Sequence, residues 1–107
     1  MANLVLLVGN LGDAPDLKYT KNKKAVAVFD VATTETWKDN GEKRERTEWT
    51  RVEVWNNRAE ACARILTKGS MVKVIGKLHT NKWTGEDGKQ RNAKVVRANE
   101  VEFIIVK

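Results

Sequence analysis

A chain of 107 residues with 41% hydrophobic content can bury one modest core and leaves no room for a second domain. Twenty Lys and Arg against fourteen Asp and Glu give a net charge of +6, which favours polyanionic partners such as nucleic acid without requiring one. The single cysteine, Cys62, excludes an intramolecular disulfide and suits a reducing compartment, and the apolar run Leu4 to Val8 is far too short for a signal-peptide core or a membrane span. A cytoplasmic protein that neither enters nor crosses a membrane is therefore expected.

In chain order, apolar and β-branched runs recur at Leu4 to Val8, Ala25 to Thr34, Thr47 to Trp55, Met71 to Leu78 and Ala93 to Val106, each bounded by turn chemistry. Between the third and fourth, Asn56 to Lys68 carries Ala59, Cys62, Ala63 and Leu66 at helical spacing, with Asn at the N-cap and Gly69 just past the end. Three strand regions, one helix and two more strand regions over residues 1–107 predict a single all-β domain of the OB-fold type. That fold is a five-stranded Greek-key barrel with one α-helix between strands 3 and 4. Reading the first run and Ala25 to Thr34 as one bent strand fits equally well. Two polar segments, Lys38 to Arg46 around Asn40-Gly41 and Thr84 to Lys89 with Gly85 and Gly88, read as projecting hairpins.

The segment Glu48 to Trp55 is the most informative, because strand side chains alternate between faces. Thr50, Val52 and Val54 make a core stripe, which leaves Trp49, Arg51, Glu53 and Trp55 together on a face that its charges mark as solvent-accessible. Indoles in register with charged groups suit a stacking platform for unpaired bases; packing under a loop or at a subunit interface is the competing explanation. Trp37 beside Lys38 and Trp83 beside Lys82 repeat the pairing of indole and cation. Phe29 and Phe103 lie in apolar runs and are assigned to the core. Tyr19, with Lys18, Lys21, Lys23 and Lys24, marks a positive cluster equally consistent with phosphate contact and with a solvated loop. Around the second hairpin, Lys82, Lys89, Arg91, Lys94 and Arg97 outnumber Glu86 and Asp87, whereas charges from Lys38 to Arg51 nearly cancel; the second hairpin is the better electrostatic candidate.

Nothing in the sequence assembles an enzyme. His79 and Cys62 could pair as base and nucleophile, but Cys62 falls on the apolar helix face, and neither metal-ligand spacing nor a phosphate-cradling glycine loop is present. Gly9-Asn10-Leu11-Gly12 is explained by a strand-ending turn. No cofactor is implied.

The segments Leu7 to Gly12, Ala32 to Trp37, Thr47 to Val52, Leu66 to Ser70 and Lys82 to Thr84 carry a pattern along nearly the whole chain that resembles the bacterial and mitochondrial single-stranded DNA-binding protein family. The resemblance implies a non-enzymatic, sequence-independent binder that protects single-stranded DNA during replication, recombination and repair, cytoplasmic and associated with the nucleoid. It implies a homo-oligomer, usually a tetramer, with a dimer as the alternative. Trp37, Trp49 and Trp83 match the family's stacking tryptophans, and Trp55 occupies a stacking position more often held by Phe; Lys38, Arg51, Lys82, Lys89 and Arg91 are the residues expected to contact phosphate. Thr50 stands where many members carry a histidine associated with subunit contacts, a departure that bears on the tetramer. Members usually continue into a disordered tail with an acidic tip that recruits replication and repair proteins. The sequence ends at Val106-Lys107, so recruitment falls outside what the resemblance implies. An RNA-binding barrel of the cold-shock kind and a protein adaptor working through the tryptophan face are the rival readings.

Overall fold

A computed structural model describes residues 2–105. It contains β1 (Val5–Leu11), β2 (Asp16–Tyr19), β3 (Ala25–Asp39), β4 (Glu42–Trp55), α1 (Asn57–Ile65), β5 (Met71–Thr84) and β6 (Gln90–Ile104). Five of these strands close a ring in the order β1, β5, β6, β4, β3 and back to β1. The antiparallel pairs Asn10–Ala32 and Leu11–Val31 join β1 to β3, and the parallel pairs Val52–Val96 and Glu53–Arg97 join β4 to β6. The first run and Ala25 to Thr34 are thus separate antiparallel strands, not one bent strand. β2, which the sequence reading did not anticipate, lies along β3 from Asp16–Val28 to Tyr19–Ala25.

The core follows from alternation. Ala25, Ala27, Phe29 and Val31 from β3, Val52 and Val54 from β4, and Val72 and Val74 from β5 point into the ring and are buried. Val52, Val54, Val72 and Val74 have no accessible surface, as expected for β-branched side chains that fit a pleated, closed sheet. Helix α1 plugs one side with Ala59 and Cys62, and Leu66 follows them into the core.

Two expectations need correction, the end of the helix and the burial of Phe103, and two others gain detail. The helix stops at Ile65, because Leu66 is already extended and its N–H still donates to the Cys62 carbonyl. Gly69 belongs instead to the turn closed by Ser70 N–H on the Thr67 carbonyl. Asn56 does sit at the N-cap, but its backbone is left-handed (φ 64°) and its side chain makes no capping bond. Phe103 is 44% exposed: it pairs with Val72 near the end of the β5–β6 ladder and lines an open groove beside α1. The polar segment Lys38 to Arg46 forms the expected projecting hairpin: β3 and β4 stay paired to Asp39–Glu42, and only Asn40 and Gly41 turn, both with positive φ. That is the geometry of a two-residue hairpin turn whose twist matches the strands, and Asn-Gly supplies it at least steric cost. Val106, the last residue of the fifth expected run, lies outside the described residues.

Candidate nucleic-acid interface

Register decides which tryptophans share a surface, since residues directly opposite in a ladder lie on the same face. Trp83 pairs with Arg91, Asn81 with Ala93, His79 with Val95, and Lys77 with Arg97 across β5 and β6. Arg97 is level with Glu53 in β4, and Trp49, Arg51 and Trp55 follow by alternation. Trp49, Trp55 and Trp83 therefore belong to one outer face of the barrel. Trp37 does not: it pairs with Arg44, whose parity is that of Val52 and Val54. It projects from the opposite face of the β3–β4 arm, beyond the barrel. The face that alternation gave Trp49 and Trp55 thus also carries Trp83, while Trp37 stands on the other side of the β3–β4 arm.

Exposure divides them further. Trp49, Trp83 and Trp37 are 59%, 48% and 46% accessible, but Trp55 is half-buried. Arg97 lies over its ring, 5.6 Å from the centroid, and the indole Nε1 is buried with no hydrogen-bond acceptor among the described residues. Glu53, assigned to solvent by its charge, is only 9% exposed. Asn81 Nδ2 donates to its Oε2 at 2.6 Å and Arg97 Nε to its Oε1 at 3.3 Å, so both carboxylate oxygens are satisfied under the β5–β6 arm. Alternation correctly placed Glu53 on the outer face. Neither Asn81 nor Arg97 could be connected to it from sequence, because the contact needs the parallel β4–β6 closure.

The Trp49 indole reaches the turn after β1. A Cβ at Gly12 would meet ring carbons of Trp49 at 2.6 and 2.8 Å, so only glycine lets the indole lie there. Beside it runs a groove of about 610 Å³ between β2, β3 and β4, in which Asp13, Asp16 and Asp30 face Lys18 and Arg51.

The five residues expected at phosphates fall into two groups. Lys38, opposite Lys43 near the first arm's tip, and Lys82 and Lys89 on the second arm make no ion pair among the described residues. Arg51 is held by Asp30 at 3.2 Å and Arg91 by Asp87 at 2.8 Å. Both pairs are exposed, and such pairs contribute about 0–1 kcal/mol, so a phosphate could displace either carboxylate. In the lysine cluster near Tyr19, Lys18 is paired with Asp16 at 3.4 Å and Tyr19 is exposed. Cys62 is a buried free thiol on α1, while His79 lies on the outer face of β5, so the two do not form a catalytic pair.

A closed five-stranded barrel with its helix between the third and fourth ring strands, carrying exposed aromatic rings and cations on one face, is an oligonucleotide-binding type of barrel, the OB-fold. The chain belongs to the single-strand binding protein family, whose model matches residues 2–104. Two curated single-stranded DNA-binding proteins, from serogroup A and serogroup B strains of Neisseria meningitidis, are each 41% identical to it over 103 residues, 95% of this chain and 59% of their own. The chain thus spans about three-fifths of the length of these relatives. The solved structure of a Plasmodium falciparum SSB complex with ssDNA superposes with a TM-score of 0.85 at 30% identity, covering 100% of this chain and 97% of that one.

Proposed function

We propose that this chain binds single-stranded DNA without sequence preference, stacking bases on Trp49, Trp83, Trp37 and the accessible part of Trp55 while Lys38, Lys82, Lys89, Arg51 and Arg91 meet phosphates. The observation that carries this reading is the outer face itself, where the well-exposed indoles of Trp49 and Trp83 share a register with Arg51 and Arg91. Stacking on an indole is open only to unpaired bases and tolerates any of them, which gives strand selectivity without sequence selectivity. Such a protein melts hairpins and shields the strand during replication, recombination and repair, in the cytoplasm, and performs no catalysis. The similarity to a protein solved in complex with ssDNA supports it.

The chain works as a homo-oligomer, first a tetramer and otherwise a dimer. Leu6 and Val8 on β1, with Leu4 just before it, are exposed and apolar, and among the described residues the edge of β1 away from β5 is paired only at Asn10 and Leu11. An apolar strand with an unpaired edge is covered in stable proteins, and a second copy would do so.

Titration with an oligo-dT ladder, followed by tryptophan fluorescence, tests the main reading. Single strands should quench the indoles and bind more tightly than duplex of equal length, with log K falling against log salt at about −0.7 for each phosphate contacted. Equal affinity for duplex, or a flat salt response as a protein adaptor would give, refutes it. Tighter binding to matched RNA would move the assignment to an RNA-binding barrel.

A further inference from the structure

We propose that the bound strand continues past the tryptophans into a basic groove at the Trp55 end of the barrel, where Arg58, Lys77, His79 and Arg97 hold its phosphodiester backbone. The proposal rests on the DNA-binding reading and extends its site beyond the residues that the tryptophans and hairpins mark. The groove encloses about 620 Å³, and Trp55 forms part of its wall. Among the described residues no carboxylate lines it, in contrast to the groove beside Trp49 with its three aspartates.

Its cations come from separated parts of the chain, brought together by the barrel. Arg58 stands in the first turn of α1, Lys77 and His79 lie on β5, and Arg97 lies on β6 directly across from Lys77. Arg58 and Lys77 are exposed and make no ion pair among the described residues. Like charges facing each other across a ladder repel, so Lys77 opposite Arg97 is a cost to the free protein that an anion between them would remove. Arg97 is fixed for that role: its Nε is engaged by Glu53 and its guanidinium rests on Trp55, while among the described residues the terminal nitrogens make no hydrogen bond. A guanidinium held through Nε presents its remaining N–H groups as a fork suited to phosphate oxygens.

Two asparagines complete the lining. Asn56 leaves the helix end uncapped by its side chain, and Asn99 is the extra residue where the β5–β6 register steps from Ile75–Glu100 to Gly76–Ala98. A bulge of this kind turns a side chain out of the ladder, and bulges recur beside binding sites.

The test uses Arg58→Gln and Lys77→Gln, singly and together, with Lys68→Gln as a control for lost net charge. Both target side chains are exposed, so folding should be unaffected, which circular dichroism would verify. Oligo-dT long enough only for the tryptophan face should bind the variants as it binds wild type. Longer oligonucleotides, which bind wild type more tightly, should lose that gain, and their salt slope should become shallower by about 0.7 for each cation removed. Wild-type affinity at every length, equal losses at every length, or an equal effect of Lys68→Gln would each overturn the groove. If wild type itself bound no oligonucleotide of any length, the DNA-binding reading would fall first and the groove with it.

Discussion

Arg97 covers one part of the Trp55 indole, with its guanidinium carbon 5.6 Å from the ring centroid, and both sit beside the buried carboxylate of Glu53. Trp55 is consequently a structural residue as much as a surface for bases. Trp49→Ala should weaken oligo-dT binding by roughly 1–3 kcal/mol with little change in stability, because it removes an exposed stack. Trp55→Ala should lower stability as well, by roughly 1–3 kcal/mol, since it empties a half-buried site. Val52→Ala should cost a similar amount of stability and leave the affinity of the folded fraction unchanged. Urea denaturation and fluorescence titration of the three variants separate the two effects; equal stability of the two tryptophan variants would contradict the assignment.

Glu53 satisfies two donors from different strands, so truncation and isosteric replacement should differ. Glu53→Ala strands Asn81 Nδ2 and frees Arg97, and should destabilise the domain by about 1–3 kcal/mol. Glu53→Gln keeps an acceptor for Asn81 and should cost less. Denaturant midpoints at constant slope decide this, and Glu53→Gln as damaging as Glu53→Ala would show that charge, not hydrogen bonding, is what Asn81 and Arg97 require.

If the β1 stripe is a contact between copies, light scattering of wild type should give a multiple of the 12.1 kDa chain mass, and Leu6→Lys should reduce it. Leu6 is exposed in the single chain, so the substitution should leave the monomer folded. A wild-type mass of one chain at micromolar concentration would remove the oligomer proposal.

Burial pushes the Cys62 thiol above its ordinary value of 9.0. The unfolded chain then loses this proton at lower pH than the folded one, so the group's contribution is intact below pH 9 and declines as pH rises above it. Between pH 8 and 10.5 the stability of wild type should therefore fall more steeply than that of Cys62→Ala, measured by denaturant titration at each pH. Parallel curves would show that the thiol ionises as freely in the fold as outside it.

Much of the barrel was legible because alternation is a local rule. Val52 and Val54 inside with Trp49 and Arg51 outside needed only parity, and Asn40-Gly41 announced the first hairpin. What parity cannot see is what covers a face. Glu53 looked solvated and is buried by Asn81 from the second arm, while Phe103 looked like core and is left exposed. Trp37 was grouped with the other indoles because its neighbour is a cation, although register with Arg44 sends it to the other side of the ribbon. β2 is four residues, two of them the charged Asp16 and Lys18, too short and too polar to stand out as a strand before its pairing with β3 is known.

The pairing of β1 with β5 also has a bearing on how the chain is made. Of the six strands β1 leaves the ribosome first, but its ladder partner begins only at Met71, so Leu6 and Val8 must wait without a neighbour until β5 is made. Closure through such distant segments gives high contact order, and domains of that kind fold over milliseconds to seconds, far more slowly than helical bundles of the same size. Until β5 arrives the nascent chain presents an apolar, unpaired strand, the form most prone to adhere to another strand of its own kind.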